Sequence, residues 1–297
     1  MNKQSNLAVI GASGHLGKHL VARLKDDDRF KLIGIVRNKD KFKNPGGIEI
    51  RETGDIHNTD KLGQSLKDID VIINTTYITF APQISEAIEK SGNNRLKQII
   101  FTGSTGIYTK LIKPEKNRKL IAEKFIGENF KIPWTILRPT MIYGHCGDRN
   151  ISRFVRFLNR TPVIPVIGKG NALIQPVLID DLVEVFFRSI LNRKVFYQII
   201  DVGGRNPVRN MELFQIVSNQ LGKKRIFVPV PPGLILFLYK TLSRIKKLPV
   251  SEEQILRFQE DKNVSIEKLE KLLNYTTKPV EEGISILIRR MIDKNCF

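Results

Sequence analysis

The chain has 297 residues, 41% of them hydrophobic, and carries 49 Lys+Arg against 30 Asp+Glu, a formal charge of +19. This excludes low-hydrophobicity disorder and supplies core material for one large domain or two small ones. Only two cysteines occur, Cys146 and Cys296, which argues against a disulfide-stapled secreted fold and for a reducing, cytoplasmic setting. Met1 to Asn6 lead straight into a strand-like apolar run and lack the shape of a signal peptide. No apolar run approaches the ~20 residues of a spanning helix. The longest candidate, Leu234 to Leu238, is far too short.

Leu7–Ile10 reads as a buried parallel strand, apolar on both faces. Gly14–Lys25 follows as a helix, with Leu16, Leu20, Val21 and Leu24 at helical spacing. Further strands are predicted at Lys31–Val36, Ile48–Ile50, Asp70–Asn74, Gln98–Phe101 and Trp134–Leu137, and helices near 59–67, 81–92 and 116–129. Six strands with a helix each predict an α/β fold with a doubly wound parallel sheet, whose ligand site lies at the carboxyl ends of the strands. Beyond Gly144 the alternation weakens. Asp180–Leu191 reads as a helix, Gln198–Val202 as a strand, and the chain from Met211 onward as mostly helical. The expected division is a dinucleotide-binding domain over 1–145 that also receives roughly 173–205. The remainder, 146–172 and 206–297, forms a smaller, mostly helical C-terminal lobe.

The charge is uneven. Between Leu213 and Ser251 there is no Asp or Glu, yet Lys223, Lys224, Arg225, Lys240, Arg244, Lys246 and Lys247 fall there. Such a balance suits anionic small molecules or a membrane surface as well as a merely solvated basic surface. No RNA-binding signature or zinc-finger spacing occurs, so no specific nucleic-acid partner is expected. Leu234–Leu238, followed by Lys240, Arg244, Lys246 and Lys247, reads either as a segment lying peripherally on an anionic bilayer or as a helix packed in the smaller lobe.

Gly11-Ala12-Ser13-Gly14-His15-Leu16-Gly17 joins the first strand to the first helix. Glycines at this spacing permit a tight turn, close approach of a pyrophosphate, and close helix–strand packing, with free helix-start amides facing the phosphates. At the end of the second strand, where an NAD site carries an acidic residue, stand Arg37, Asn38 and Lys39. Arg37 suits a 2′-phosphate or else a solvated loop. The turn Gly54-Asp55-Ile56 offers Asp55 either to an adenine amino group or to a local turn.

These residues resemble the short-chain dehydrogenase/reductase superfamily, in its extended or atypical branch, the NAD-dependent epimerase/dehydratase family. Gly11–Gly17 resembles the glycine motif, and Phe101–Tyr108 the serine strand, with Ser104 in the catalytic place. Ile136-Leu137-Arg138-Pro139 through Gly144 resembles the motif beside the nicotinamide, and Gly168-Lys169-Gly170 with Pro176–Leu182 the late loop and helix of sugar-nucleotide epimerases. The resemblance implies a Rossmann fold and an NAD(P)-dependent oxidoreductase or epimerase/dehydratase acting on a nucleotide-linked sugar. The implied cofactor residues are Gly11, Ser13, Gly14, His15, Leu16, Gly17, Arg37, Asn38, Asp55, Ile56, Thr75, Lys119 and Pro139. NADP(H) is expected over NAD(H), with no metal, and a homodimer is compatible with the family.

One departure matters. The family's Tyr-x-x-x-Lys pair reads Glu115 to Lys119 here, and Leu173-Ile174-Gln175 stands where sugar-nucleotide enzymes often have an arginine. In the usual mechanism a phenol, its pKa lowered by a nearby ammonium, exchanges a proton as hydride moves. Ser104 and Lys119 remain, and Tyr108 or Glu115 is the candidate acid. Tyr108 otherwise reads as a packed loop aromatic, and Glu115 as a helix-surface ion pair. Arg149 and Arg153 are candidates for an anionic substrate; the competing reading is a surface helix capped by Asp148. His15 and His19 lie one turn apart without a third metal ligand in view. The alternative function is an NADPH-binding structural or regulatory subunit without turnover, linked to a membrane complex or quinone pathway.

Overall fold

Residues 4–148, 150–242 and 252–297 are described in a computed structural model of the protein. The first half lays down β1 (Ser5–Ile10), α1 (His15–Leu24), β2 (Phe30–Val36), β3 (Glu49–Glu52), α2 (Thr59–Ser65), β4 (Val71–Asn74), α3 (Ala81–Ser91), β5 (Gln98–Thr102), α4 (Pro114–Asn129) and β6 (Trp134–Pro139). There follow β7 (Ile142–Tyr143), α5 (Ile151–Arg160), β8 (Val163–Ile167), β9 (Leu173–Ile174), β10 (Val177–Leu178), α6 (Ile179–Ser189) and β11 (Gln198–Val202). The chain closes with β12 (Val208–Arg209), α7 (Asn210–Gln220), β13 (Ile226–Val230), α8 (Pro232–Leu242), α9 (Glu252–Arg257), α10 (Glu267–Leu273) and α11 (Val280–Asp293).

Seven strands form one parallel sheet in the order β11-β6-β5-β4-β1-β2-β3. Leu7 to Ile10 are buried because helices cover both faces of β1. One face packs Leu20 and Leu24 of α1 against Leu182 and Phe186 of α6. The other buries Leu62 of α2, Ile84 of α3 and Ile126 of α4. The chain runs outward from β1 through β3, then crosses back to β4, so the order reverses between β1 and β4. A reversal of this kind opens a crevice at the carboxyl ends of those two strands. α4 opens on Pro114, whose missing amide costs nothing in a first turn.

One expectation needs correction. The sheet does not carry one helix per strand: β2 and β3 are joined by only a 3₁₀ turn, Lys39–Lys41, capped by the Asn38 side chain. The region after Met211 is mostly helical as expected, with β13 added, which pairs in parallel with β8. Pro165 and Pro229 within these strands obscure them in the sequence, because proline donates nothing to a ladder and is confined to edges.

α5, α7 and α11 close a second core around Val155, Leu158, Leu213, Val217, Ile284 and Leu287. A reducing setting gave no reason to pair the cysteines. The structure joins Cys146 to Cys296 in a disulfide, 6.0 Å apart at Cα, and so ties the end of the chain to the loop after β7.

Candidate functional site

The loop between β1 and α1 sits in the crevice. Gly11 has φ +82°, and a Cβ there would lie 2.8 Å from both Thr75 Oγ1 and Thr76 Cγ2. Gly17 packs so close under the loop that its Cβ would meet Ala12 Cα at 2.8 Å. Both positions therefore require glycine. Thr75, at the end of β4, donates its hydroxyl to Ile10 O at 2.8 Å and Gly11 O at 3.1 Å, which fixes the loop. Gly14 caps α1, whose first-turn amides at His15 and Leu16 have no intrahelical partner. The Leu16 side chain is in the core, so only its backbone faces the crevice. Ser13 is half-buried on the loop. Buried Asn74 holds Thr76 through Oδ1, and its Nδ2 has no hydrogen-bond partner among the described residues. A backbone cradle, free helix-start amides and an orphaned buried donor fit a dinucleotide pyrophosphate.

His145, in the loop after β7, stacks its ring on His15 at 3.3 Å between centroids; His19 lies 4.9 Å from His15. The structure thus supplies the third imidazole that spacing along the chain could not show. Burial first, then neighbouring cationic and imidazole charges, push the pKa values of His15 and His145 down to about 4. No metal-ligating group of side chains occurs among the described residues.

On the adenosine side Arg37 is exposed at the end of β2, and its side chain has no partner among the described residues. Asn38 is occupied with its 3₁₀ turn, accepting from Asp40 N and Lys41 N. Asp55 accepts from His57 N at 3.0 Å, so its carboxylate serves a local turn, and Ile56 packs against the core. Sequence reasoning missed Glu52. It ends β3 opposite Val36 and accepts from Lys39 N at 2.9 Å, placing a carboxylate beside Arg37 and Asn38. The sheet register delivers it there, not the local sequence.

Ser104 and Lys119 converge. A Cβ on Gly106 would lie 3.1 Å from Ser104 Oγ and 3.6 Å from Lys119 Nζ. Ser104 Oγ accepts from Gly106 N at 3.1 Å. Lys119, half-buried on α4, has its pKa lowered by burial and by the Arg257 charge. The two candidate acids are engaged with other partners. Tyr108 donates to Asp201 Oδ2 at 2.8 Å and accepts from Arg138 Nη1 at 2.9 Å; burial and Asp201 raise its pKa. That is the opposite of the shift a lysine-poised phenol needs. Glu115 is exposed in the first turn of α4 and pairs with Arg118 at 3.2 Å, three residues on rather than with Lys119. Arg138 grips Glu123 through Nε at 2.9 Å and Nη2 at 2.5 Å, a nearly buried bidentate pair behind the serine loop. Pro139 ends β6, and its carbonyl accepts from Thr105 Oγ1 at 3.3 Å.

The C-terminal lobe reaches over this corner. Glu260 accepts from Thr109 Oγ1 at 2.7 Å and from Lys110 N at 2.9 Å. This brings Arg257 beside Lys113 and Lys119, with Lys262 next to Arg257. All three lysines have lowered pKa values, first through burial and then through Arg257; Lys262 falls to about 8. Crowded cations of this kind attract a polyanion. Arg257 and Lys262 lie more than a hundred residues from Ser104 in sequence, and no local signal marks them. Arg149 lies outside the described residues. Arg153 is exposed on α5, whose N-cap is Asn150 and not Asp148, although the Asp148 carboxylate accepts from Asn150 N and Ser152 N just ahead of the helix.

Residues 11–152 match a family described as NAD(P)H-binding. The chain is 25% identical to an N-acetyl-alpha-D-glucosaminyl-diphospho-ditrans,octacis-undecaprenol 4-epimerase of Escherichia coli O157:H7, over 85% of each chain. The family match spans the glycine loop and strands β2 to β7. The fold recurs in a UDP-glucose 4-epimerase from Thermotoga maritima, with TM-score 0.74, 15% identity, and 98% and 99% of the two chains covered. It recurs also in a UDP-glucuronic acid 4-epimerase from Bacillus cereus bound to UDP-glucuronic acid and NAD, with TM-score 0.73, 19% identity, and 97% and 99% covered.

Proposed function

We propose that this protein is an NAD(P)-dependent epimerase or dehydratase acting on a sugar linked through a diphosphate, in the first instance a nucleotide sugar. The observation that carries the reading is the meeting of Ser104 and Lys119 after β5 with Lys113 and Arg257, to which Lys262 adds a further cation next to Arg257. Relatives that act on diphosphate-linked sugars support it. The bound nicotinamide would accept and return hydride. Ser104 would hold the reacting oxygen. Lys119, not Tyr108 or Glu115, would exchange its proton, since its lowered pKa brings its neutral form closer to reach. The cluster would bind the diphosphate in the role of the arginine missing at Gln175. Residues 1–145 with roughly 173–205 would serve the cofactor, and the remaining lobe the substrate.

Cofactor preference follows from Arg37, which favours a 2′-phosphate, with Glu52 beside it as the opposing carboxylate. Arg37→Ala should weaken NADP⁺ by about 1.5–3 kcal/mol, the scale of a charge-assisted hydrogen bond, and leave NAD⁺ almost unchanged. Equal calorimetric affinities in the wild type would refute the preference.

For activity, the protein is incubated with UDP-glucose, UDP-glucuronate and UDP-N-acetylglucosamine in heavy water with each dinucleotide. NMR then follows sugar configuration and deuterium incorporation. Epimer or dehydrated product is expected, and Ser104→Ala should lower kcat by ~10²-fold or more. Tight dinucleotide binding with no product from any sugar would favour the non-catalytic subunit, a reading the comparisons do not favour.

A further inference from the structure

The run from Ile226 to Tyr239, IFVPVPPGLILFLY, contains no charged side chain and only one polar atom, the tyrosine hydroxyl. A run this apolar belongs in a core. Here it is outside. Every described residue of the run is partly or fully exposed, with Ile226 at 65%, Leu234 at 48% and Phe237 at 66%. The pairing of β13 with β8 extends the surface, because Val163 stands opposite Ile226 and Pro165 opposite Val228. Ile164 and Val166 turn to the core, so the pleat leaves Val163 and Pro165 on the outer face. Gly168 N donates to Val230 O at 2.8 Å, which joins the sheet to the start of α8. The result is one apolar face made of a two-stranded ribbon and the helix that follows it.

Its electrostatic frame is predominantly basic, the carboxylate of Glu252 on the adjoining α9 pairing with Lys240 at 3.4 Å. No Asp or Glu occurs from Ile151 to Ile179 or from Leu213 to Leu242, the two stretches that build this face. Arg160 and Lys169 at the ends of the β8 segment are exposed, as are Lys223 and Lys224 ahead of β13. A second copy of the chain would bring these cations against their equivalents, since a two-fold contact pairs a surface with itself. An anionic bilayer satisfies both features, apolar side chains in the acyl boundary and cations among the headgroups. α8 has 11 residues, about 16 Å at the helical rise, roughly half a hydrocarbon core. No helix among the described residues is long and apolar enough to cross a membrane.

We infer that the β8–β13 ribbon and α8 form a docking face by which the smaller lobe lies on an anionic membrane surface. None of Ser104, Lys119, Lys113, Arg257 and Lys262 belongs to this face, although α8 packs on α9, which carries Arg257, so docking is read by vesicle binding rather than by activity.

The full chain is sedimented with phosphatidylcholine vesicles with and without phosphatidylglycerol, at low and high salt. Binding is expected to the anionic vesicles at low salt and to weaken as salt rises. Phe237→Glu and Ile226→Glu should each lower the vesicle partition constant about tenfold or more, because a charge is driven into the acyl boundary. Lys223→Glu with Lys224→Glu should act mainly on the anionic vesicles. NAD(P)⁺ affinity, measured in parallel, should be unchanged and reports that each variant is folded. Three outcomes overturn the proposal: no binding to anionic vesicles at low salt, wild-type binding by Phe237→Glu and Ile226→Glu, or a dimer in sedimentation velocity that Phe237→Glu abolishes while vesicles are ignored.

Discussion

Arg138 and Glu123 show how a single pair can hold a site. The guanidinium also donates to Tyr108, which donates on to Asp201, so α4, the serine loop and β11 meet at one side chain. Removing one member of a nearly buried pair strands the other charge. Glu123→Ala should therefore cost about 3–5 kcal/mol in urea unfolding, and Arg138→Met in the same chain should restore part of it. A cost below 1 kcal/mol would mean that water reaches the pair. The stacked imidazoles of His15 and His145 make a pH prediction. Their folded pKa values, about 4, lie below the ordinary 6.5, so between those values the unfolded chain binds more protons than the folded one. Stability should be full above pH 6.5 and decline as pH falls toward 4. His145→Asn should flatten that decline in denaturation curves recorded across the interval; an unchanged slope would show that the rings do not titrate as a pair.

Elements meet in ways that set further expectations. The disulfide from Cys146 to Cys296 closes a span of 150 residues and clamps the segment after α11 to the loop bearing His145. Cys296→Ser should lower stability by about 2–4 kcal/mol against the oxidised protein and change nothing under reducing conditions. Asp181 in α6 holds the C-terminal segment from its other end. It accepts from Tyr275 at 2.7 Å and from Lys278 N at 2.8 Å, so the lobe's closing strap is fixed at two points. The strands were legible where apolar runs are continuous, as in Leu7–Ile10 and Val71–Ile73, since both faces of a central parallel strand are buried. β8 and β13 were not legible, since prolines and one exposed face hide the alternation that marks a strand.

Across the whole molecule, the dinucleotide should act as a clamp on the crevice. At a hundredfold excess over its dissociation constant, the preferred cofactor should stabilise the chain by about 2.7 kcal/mol. Thermal shift with NAD⁺ and NADP⁺ reads this directly, and absence of any shift would contradict the crevice as the cofactor site. The sequence by itself determined the sheet, the glycine loop and its position at the end of β1, because each rests on local periodicity or on conformations that only glycine adopts. It also placed Ser104 and Lys119 as candidates, through a motif whose spacing is carried within one strand–helix unit. It could not place what arrives from elsewhere in the chain. Glu52 beside Arg37, His145 on His15, Asp201 on Tyr108, and Arg257 beside Lys119 are joined only by sheet register and by the docking of the smaller lobe. Charge and burial at a site are sums over neighbours in space, and here most of those neighbours are far apart along the chain.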